Sequence, residues 1–277
     1  MYNQNPYRSE ILYGGGLRRS PNPLQAIAAQ INWEIVAAFL ILVGFFIFLL
    51  WQNQPSLVVP GTVGLVLVGW VFSLCLHEFA HAATAYIGGD HSDSTRSYLS
   101  FNPLKYLHPV LSILLPIIFI LLGGIALPGG AVYVNRNLVR GRVRQSAISL
   151  AGPLMNGLVA IVASIPFWLG ITDNHPALAN ALALLVFFQV FSVVLNILPI
   201  PPLDGFGIIS PWLPRELQNA LYTFANFGIL IIFAALWLVQ PVALAFFNFV
   251  FSIMILLRVD PSLALSGLAT FQFWQPQ

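Results

Sequence analysis

Charge is what this sequence has least of. Only 7% of its 277 residues are Asp, Glu, Lys or Arg, while 58% are hydrophobic, against roughly a quarter charged in ordinary soluble domains. That scarcity excludes a soluble globule of ordinary composition and makes lipid the solvent. Cysteine is nearly absent as well. Cys75 stands alone, so no intramolecular disulfide and no cysteine-rich metal site can form. The formal net charge is +2, and the arginines cluster between apolar runs, which excludes nucleic-acid binding and suits membrane orientation. The first 34 residues lack a short apolar core before a small-residue cleavage site, so no cleavable signal peptide is expected. Internal repeats, low-complexity tracts and an appended soluble domain are also lacking.

What is present is a series of long apolar runs. A bilayer core of about 30 Å needs roughly 20 apolar residues per helix. Runs at 35–51, 57–87, 146–169, 177–198, 221–239 and 241–257 meet or approach that length. The expected fold is therefore all-α, a polytopic membrane bundle of about six transmembrane helices. A seventh apolar run, 111–127, is interrupted by Pro116 and closed by Gly123, Gly124, Pro128, Gly129 and Gly130. If it does not cross, an inside N-terminus puts all eleven Lys and Arg residues on one side; if it crosses, they divide five against six. The positive-inside rule thus favours a re-entrant hairpin at 111–130. It also places the N-terminus toward the cytoplasm of a bacterial-type cell membrane. The divisions that follow are 1–34, a polar N-terminal tail, flexible or surface-lying and outside the core; 35–56, the first transmembrane helix and its turn; 57–210, a catalytic core; and 211–277, the C-terminal transmembrane helices.

The second run carries the chemistry. Its segment Leu76-His77-Glu78-Phe79-Ala80-His81 contains His-Glu-x-x-His, and four helical residues turn about 400°, stacking both imidazoles on one face. Two such nitrogens can share Zn2+ and leave room for a third ligand and a water, with Glu78 beside that water as general base. Chance is a weak competitor, since five His and four Glu in this length give the pattern on the order of once per thousand chains. A buried polar cluster without metal is the other bland reading, and ionisable groups inside a membrane helix argue against it. For the third ligand the residues alone leave Asp90, His91, Asp93, His108, Asp173, Asp204 and Asp260 open. Asp204 is set apart by its position after the break Pro199-Ile200-Pro201-Pro202-Leu203, which can unwind a helix end and aim a carboxylate inward. An ordinary Asp-Gly turn would look the same.

Four ordered segments carry a resemblance: His77-Glu78-Phe79-Ala80-His81, Asn102-Pro103-Leu104-Lys105, Gly152-Pro153-Leu154-Met155-Asn156, and Asn196 through Gly205 with Leu203-Asp204-Gly205 at its end. Over roughly residues 60–210 the chain resembles the site-2 protease family of intramembrane zinc metalloproteases. The resemblance implies that Asp204 is the third zinc ligand. It further implies that Asn156 helps bind the substrate backbone or the developing oxyanion, with an interhelical hydrogen bond as the alternative. Tyr106, Leu107 and His108 stand before Pro109 where close relatives often carry a His and an Asp, so nothing transfers to those positions.

The expected function is hydrolysis of a peptide bond in or near a transmembrane segment of a membrane-anchored protein, within the lipid bilayer. Two other classes share the same residues. A divalent-metal transporter would need His and Asp but no Glu78, and a membrane zinc hydrolase could act on a small amphiphile instead of a peptide.

Overall fold

The computed structural model describes residues 22–106 and 134–275. Among these residues there are helices and turns and no strand, as an all-α membrane bundle requires. The elements are α1 (Pro23–Ala28), α2 (Trp33–Trp51), α3 (Pro55–Gly88), α4 (Asp93–Tyr98), α5 (Arg142–Trp168), α6 (Pro176–Ile197), α7 (Asp204–Ile209), α8 (Arg215–Thr223), α9 (Ala225–Leu238), α10 (Gln240–Leu256) and α11 (Pro261–Phe271). The hairpin expected at 111–130, and His108, lie outside the described residues.

Local chemistry sets the boundaries. Asn32 caps α2 by accepting from the N–H groups of Glu34 and Ile35. Pro55 opens α3, where a missing N–H costs nothing. Gly89, in the left-handed conformation, closes it. α2, α3, α5 and α6 are each long and apolar enough to cross a membrane. Their burial sorts them. The apolar window of α6 is 72% buried, those of α3 and α5 are 39% buried, and that of α2 is 6% buried. α6 is therefore the central helix, and α2 turns Leu40, Ile41, Phe45 and Phe48 outward toward lipid.

The described residues cover four such spans, or five with one broken pair, where the sequence suggested six. The difference lies at the C-terminal end. α9 and α10 meet at a 100° bend at Val239, so the runs 221–239 and 241–257 form a bent pair and not two straight spans. Gly228 near the start of α9 sits against the Pro201 carbonyl, beside α7. At the other end Leu257 accepts from Trp168 Nε1 at 2.6 Å, at the finish of α5. Arg258 therefore falls at the end opposite Arg96, Lys105, Arg136, Arg140, Arg142, Arg144 and Arg215, not with them. The charge asymmetry survives this correction, seven against one among the described residues. The opposite end otherwise joins the α2–α3 and α5–α6 turns, through Asn53 donating to the Asn174 carbonyl at 3.0 Å and Trp51 stacked on His175 at 3.7 Å.

Two further differences concern short elements. α1 lies in the stretch expected to stay outside the core, yet its Ile27 is buried with Ala82, Tyr86 and Leu99. α11, with 11 residues, is below spanning length, and packs Phe271 among Val66, Trp70, Leu184 and Phe188. Just beyond α3, Asp90 clamps the chain. Its carboxylate accepts from Ser92 N at 3.1 Å, Thr95 Oγ1 at 2.7 Å and Asn135 N at 2.9 Å. Val139 packs nearby on Ala85 and Ile148.

Two outcomes follow from this architecture. In a Cys75→Ala background, Arg96→Cys and Arg258→Cys should react with a membrane-impermeant thiol reagent from opposite faces; labelling from one face would restore the two-crossing topology. Burial raises the Asp90 pKa, but the hydrogen bonds from Thr95, Ser92 and Asn135 outweigh it and hold the carboxyl below its ordinary value. The stability from Asp90 is therefore full above the ordinary carboxylate pKa and lost as pH falls from there through the lowered folded value. Asp90→Ala should cost about 1–3 kcal/mol at neutral pH, and the gap to wild type should close in acid, measured by denaturant unfolding in detergent.

Candidate metal centre

Two elements deliver three electron-pair donors to one point. His77 and His81 lie one turn apart on α3, both 8% exposed, with ring centroids 4.7 Å apart and their Nε2 atoms 3.1 Å apart. Asp204 enters from the other direction as the first residue of α7. Its Oδ2 lies 3.2 Å from His77 Nε2 and its Oδ1 3.3 Å from His81 Nε2. Ligands held at 2.0–2.1 Å around a tetrahedral zinc stand about 3.3 Å apart. The observed separations match that spacing.

The backbone explains how Asp204 gets there. α6 stops at Ile197, and the proline-rich segment 199–203 cannot continue it. Gly205 then passes so close to the end of α6 that a Cβ would lie 2.0 Å from the Ile197 carbonyl oxygen, so only glycine fits. The far end of α7 is tied to α5. Arg136 Nη1 donates to the Gly207 carbonyl at 3.3 Å and its Nη2 to Ser149 Oγ at 2.6 Å, while Ser146 Oγ donates to the Ile208 carbonyl at 2.6 Å.

The hydrogen bonds behind the imidazoles show what the donors are for. His81 Nδ1 lies 2.6 Å from the Ile148 carbonyl oxygen, which can only accept, so Nδ1 carries a proton and the neutral ring offers its lone pair at Nε2. His77 Nδ1 pairs likewise with Asn156 Oδ1. Two ring lone pairs and a carboxylate face one another in an apolar bundle, an arrangement that repels itself unless a cation sits among them. Gly152 on α5 leaves the space. A Cβ there would lie 2.3 Å from His81 Nε2 and 2.6 Å from His77 Nε2, against the coordinating atoms themselves. Nitrogen and oxygen donors at this spacing fit zinc.

Of the seven residues open as third ligand, the structure brings only Asp204 to the histidines among the described residues. Asp90 is the loop clamp, His91 packs edge-on to Tyr86 at 4.4 Å, Asp260 caps α11 through Ser262 N at 2.8 Å, and Asp93 is an exposed first-turn residue of α4. Asp173 sits in the α5–α6 turn at the opposite end. Glu78 is buried at 4% exposure beside His77. Asn156 lies behind the His77 ring, on the edge away from Nε2, and its Nδ2 donates to Gln189 Oε1 at 2.8 Å. Sequence reasoning singled out neither Gln189 nor Ser73, the next member of that chain, nor Arg136 as an anchor. The signal for Gln189 was there, since an amide in the middle of an apolar run is costly without a partner.

A His-Glu-x-x-His helix completed by an aspartate, buried among membrane-length helices, defines the class as a membrane-embedded zinc metalloprotease centre. No protein-family profile and no solved structure matches the chain. It is similar to the zinc metalloprotease named Rip2 of Mycolicibacterium smegmatis, at 42% identity over 77% of this chain and 82% of that protein. Rip2 of Mycobacterium tuberculosis is 40% identical over 80% and 85% of the respective chains. The Bacillus subtilis zinc metalloprotease named YwhC is 30% identical over 58% of this chain and 74% of its own. The chain belongs to the site-2 protease family of zinc metalloproteases.

The close approach of Gly152 gives a direct check. Gly152→Ala should lose bound zinc on metal analysis of the purified protein. Gly157→Ala, whose added methyl meets only Val193 at 4.0 Å, should keep it.

Proposed function

We propose that this protein hydrolyses a peptide bond in or near a transmembrane segment of a membrane-anchored protein. The observation that carries the proposal is the location of the centre. His77 and His81 belong to a helix of membrane-spanning length, and Asp204 reaches them from the broken end of the most buried one. A polypeptide segment lying in the bilayer is the substrate that a centre placed on membrane-length helices is suited to receive.

His77, His81 and Asp204 would hold the zinc, which when bound would supply a more acidic water and a polarised carbonyl, and Glu78 acts as general base. Glu78, buried next to His77, takes the proton from the attacking water and returns one to the leaving amine. A substrate helix has every amide paired internally, so it must unwind locally before its carbonyl can be reached. Segment 198–203, irregular backbone beside Asp204, is suited to border such a stretch, because unpaired backbone is tolerated at membrane depth only against protein or a water-filled cavity.

The end that carries Arg96, Lys105, Arg136, Arg140, Arg142, Arg144 and Arg215 also carries Asp204 and the C-terminal part of α3. By the positive-inside rule this end faces the cytoplasm of a bacterial-type cell membrane.

Glu78→Gln should lower cleavage of a membrane-tethered reporter helix by about 10²–10⁴-fold while zinc content stays that of wild type. Purified Glu78→Gln protein that still cuts the reporter at the wild-type rate would refute the assignment. A wild-type protein that moves zinc into vesicles and cuts nothing would favour transport instead.

A further inference from the structure

A chain of buried hydrogen bonds runs from the metal centre away into the bundle. It links three helices: Ser73 and His77 on α3, Asn156 on α5 and Gln189 on α6. Ser73 is 2% exposed, Asn156 4% and Gln189 0%. From the far end, Ser73 Oγ lies 2.8 Å from the Trp70 carbonyl oxygen, and Gln189 Nε2 lies 2.9 Å from Ser73 Oγ. Asn156 Nδ2 lies 2.8 Å from Gln189 Oε1, and Asn156 Oδ1 meets His77 Nδ1.

The direction of every bond is set by the first. A backbone carbonyl only accepts, so the Ser73 hydroxyl must donate to Trp70 and is left to accept from Gln189. That commits the Gln189 amide to present Oε1 toward Asn156, which must then donate through Nδ2 and present its own oxygen to His77. An oxygen there requires a proton on Nδ1, and Nε2 is left with its lone pair pointing at the centre. Reversing any one amide would set two donors or two acceptors face to face where no water relieves them.

We infer that Gln189 and Ser73 are positioning residues of the metal centre: acting through Asn156, they hold His77 in the tautomer that presents a bare Nε2. The inference rests on His77 being a zinc ligand, and it assigns Asn156 to the support of that ligand by an interhelical hydrogen bond. His81 has no such relay and takes its orientation from the Ile148 carbonyl, so the two imidazoles are held by different devices. A histidine freed from the relay can carry its proton on Nε2, and that proton must leave before metal binds.

Full-length protein purified in detergent tests this by two readouts that do not depend on catalysis. One is zinc affinity by chelator competition. The other is the His77 tautomer in metal-free, ¹⁵N-histidine-labelled protein, with the signal assigned by its loss in His77→Gln. Gln189→Leu should weaken zinc binding about 10–100-fold and shift the His77 proton toward Nε2. Gln189→Glu, held as the neutral acid by complete burial, keeps a carbonyl acceptor for Asn156 Nδ2 and a hydroxyl donor for Ser73 Oγ, and should stay close to wild type on both. Ser73→Ala should fall between them, and it carries the test if Gln189→Leu does not fold. Wild-type affinity and an unchanged tautomer in Gln189→Leu, or in Ser73→Ala if that is the variant that folds, would overturn the inference. Equal losses in the Leu and Glu variants, tracking a fall in thermal stability, would overturn it too by reducing the chain to helix packing. His77→Ala protein that still binds zinc at wild-type affinity would instead remove the ligand reading beneath it.

Discussion

Two imidazole lone pairs and a carboxylate within 3.1–3.3 Å of one another, in a bundle solvated by lipid, form the constraint on which the rest of this structure turns. Such donors repel unless a cation holds them, and no bulk water is at hand to spread the charge. Each neighbouring feature makes sense as a condition for keeping them together. Gly152 has no side chain because any Cβ would touch both coordinating nitrogens. α6 ends at Ile197 because Asp204 must approach from outside a continuous helix. Arg136 and Ser146 tie the carbonyls of α7 to α5, so the carboxylate stays where that break has put it.

Lipid as solvent also explains why the polar side chains away from the centre are connected and not scattered. In water, Ser73, Asn156 and Gln189 would each find partners independently. Inside α3, α5 and α6 they have only one another, and their inventory of donors and acceptors allows one consistent arrangement once the Trp70 carbonyl is fixed. The same requirement that stabilises the three-helix contact therefore specifies a proton position on His77. Packing and chemistry are one set of bonds here. Arg136 stands apart from that set. It is a cation near the metal-binding group, directed onto Ser149 and the Gly207 carbonyl, where it ties α7 to α5.

Most of this centre was legible in the sequence, for reasons that differ by residue. His77, Glu78 and His81 are local: a helix turns them onto neighbouring positions whatever surrounds it. Asp204 was legible only in part, because the proline break marks a special carboxylate but not the partner it meets. The family resemblance singled it out, and the coordinates bring it to the histidines. Four of the long runs also stand as single helices. What stayed hidden depends on long-range packing. Ile27 looks like part of a polar tail until Ala82, Tyr86 and Leu99 close around it. α11 is too short to register as a span, yet Phe271 fills a gap beside α6. Gln189 is one of three side-chain amides among the 22 residues of α6, and nothing local says that it faces Asn156.

The bend at Val239 shows how one backbone feature changes a global conclusion. Counting 221–239 and 241–257 as separate crossings returned Arg258 to the side of the other basic residues and made the charge distribution perfectly one-sided. With a 100° turn between α9 and α10 the same residues form a bent pair that begins beside Pro201, and the Trp168 bond to Leu257 fixes where it ends. The charge asymmetry survives because it rests on the basic cluster around α4 and the start of α5. That cluster lies at the same end as Asp204. The metal centre is therefore bounded on one side by the basic rim and on the other by the buried relay through Gln189.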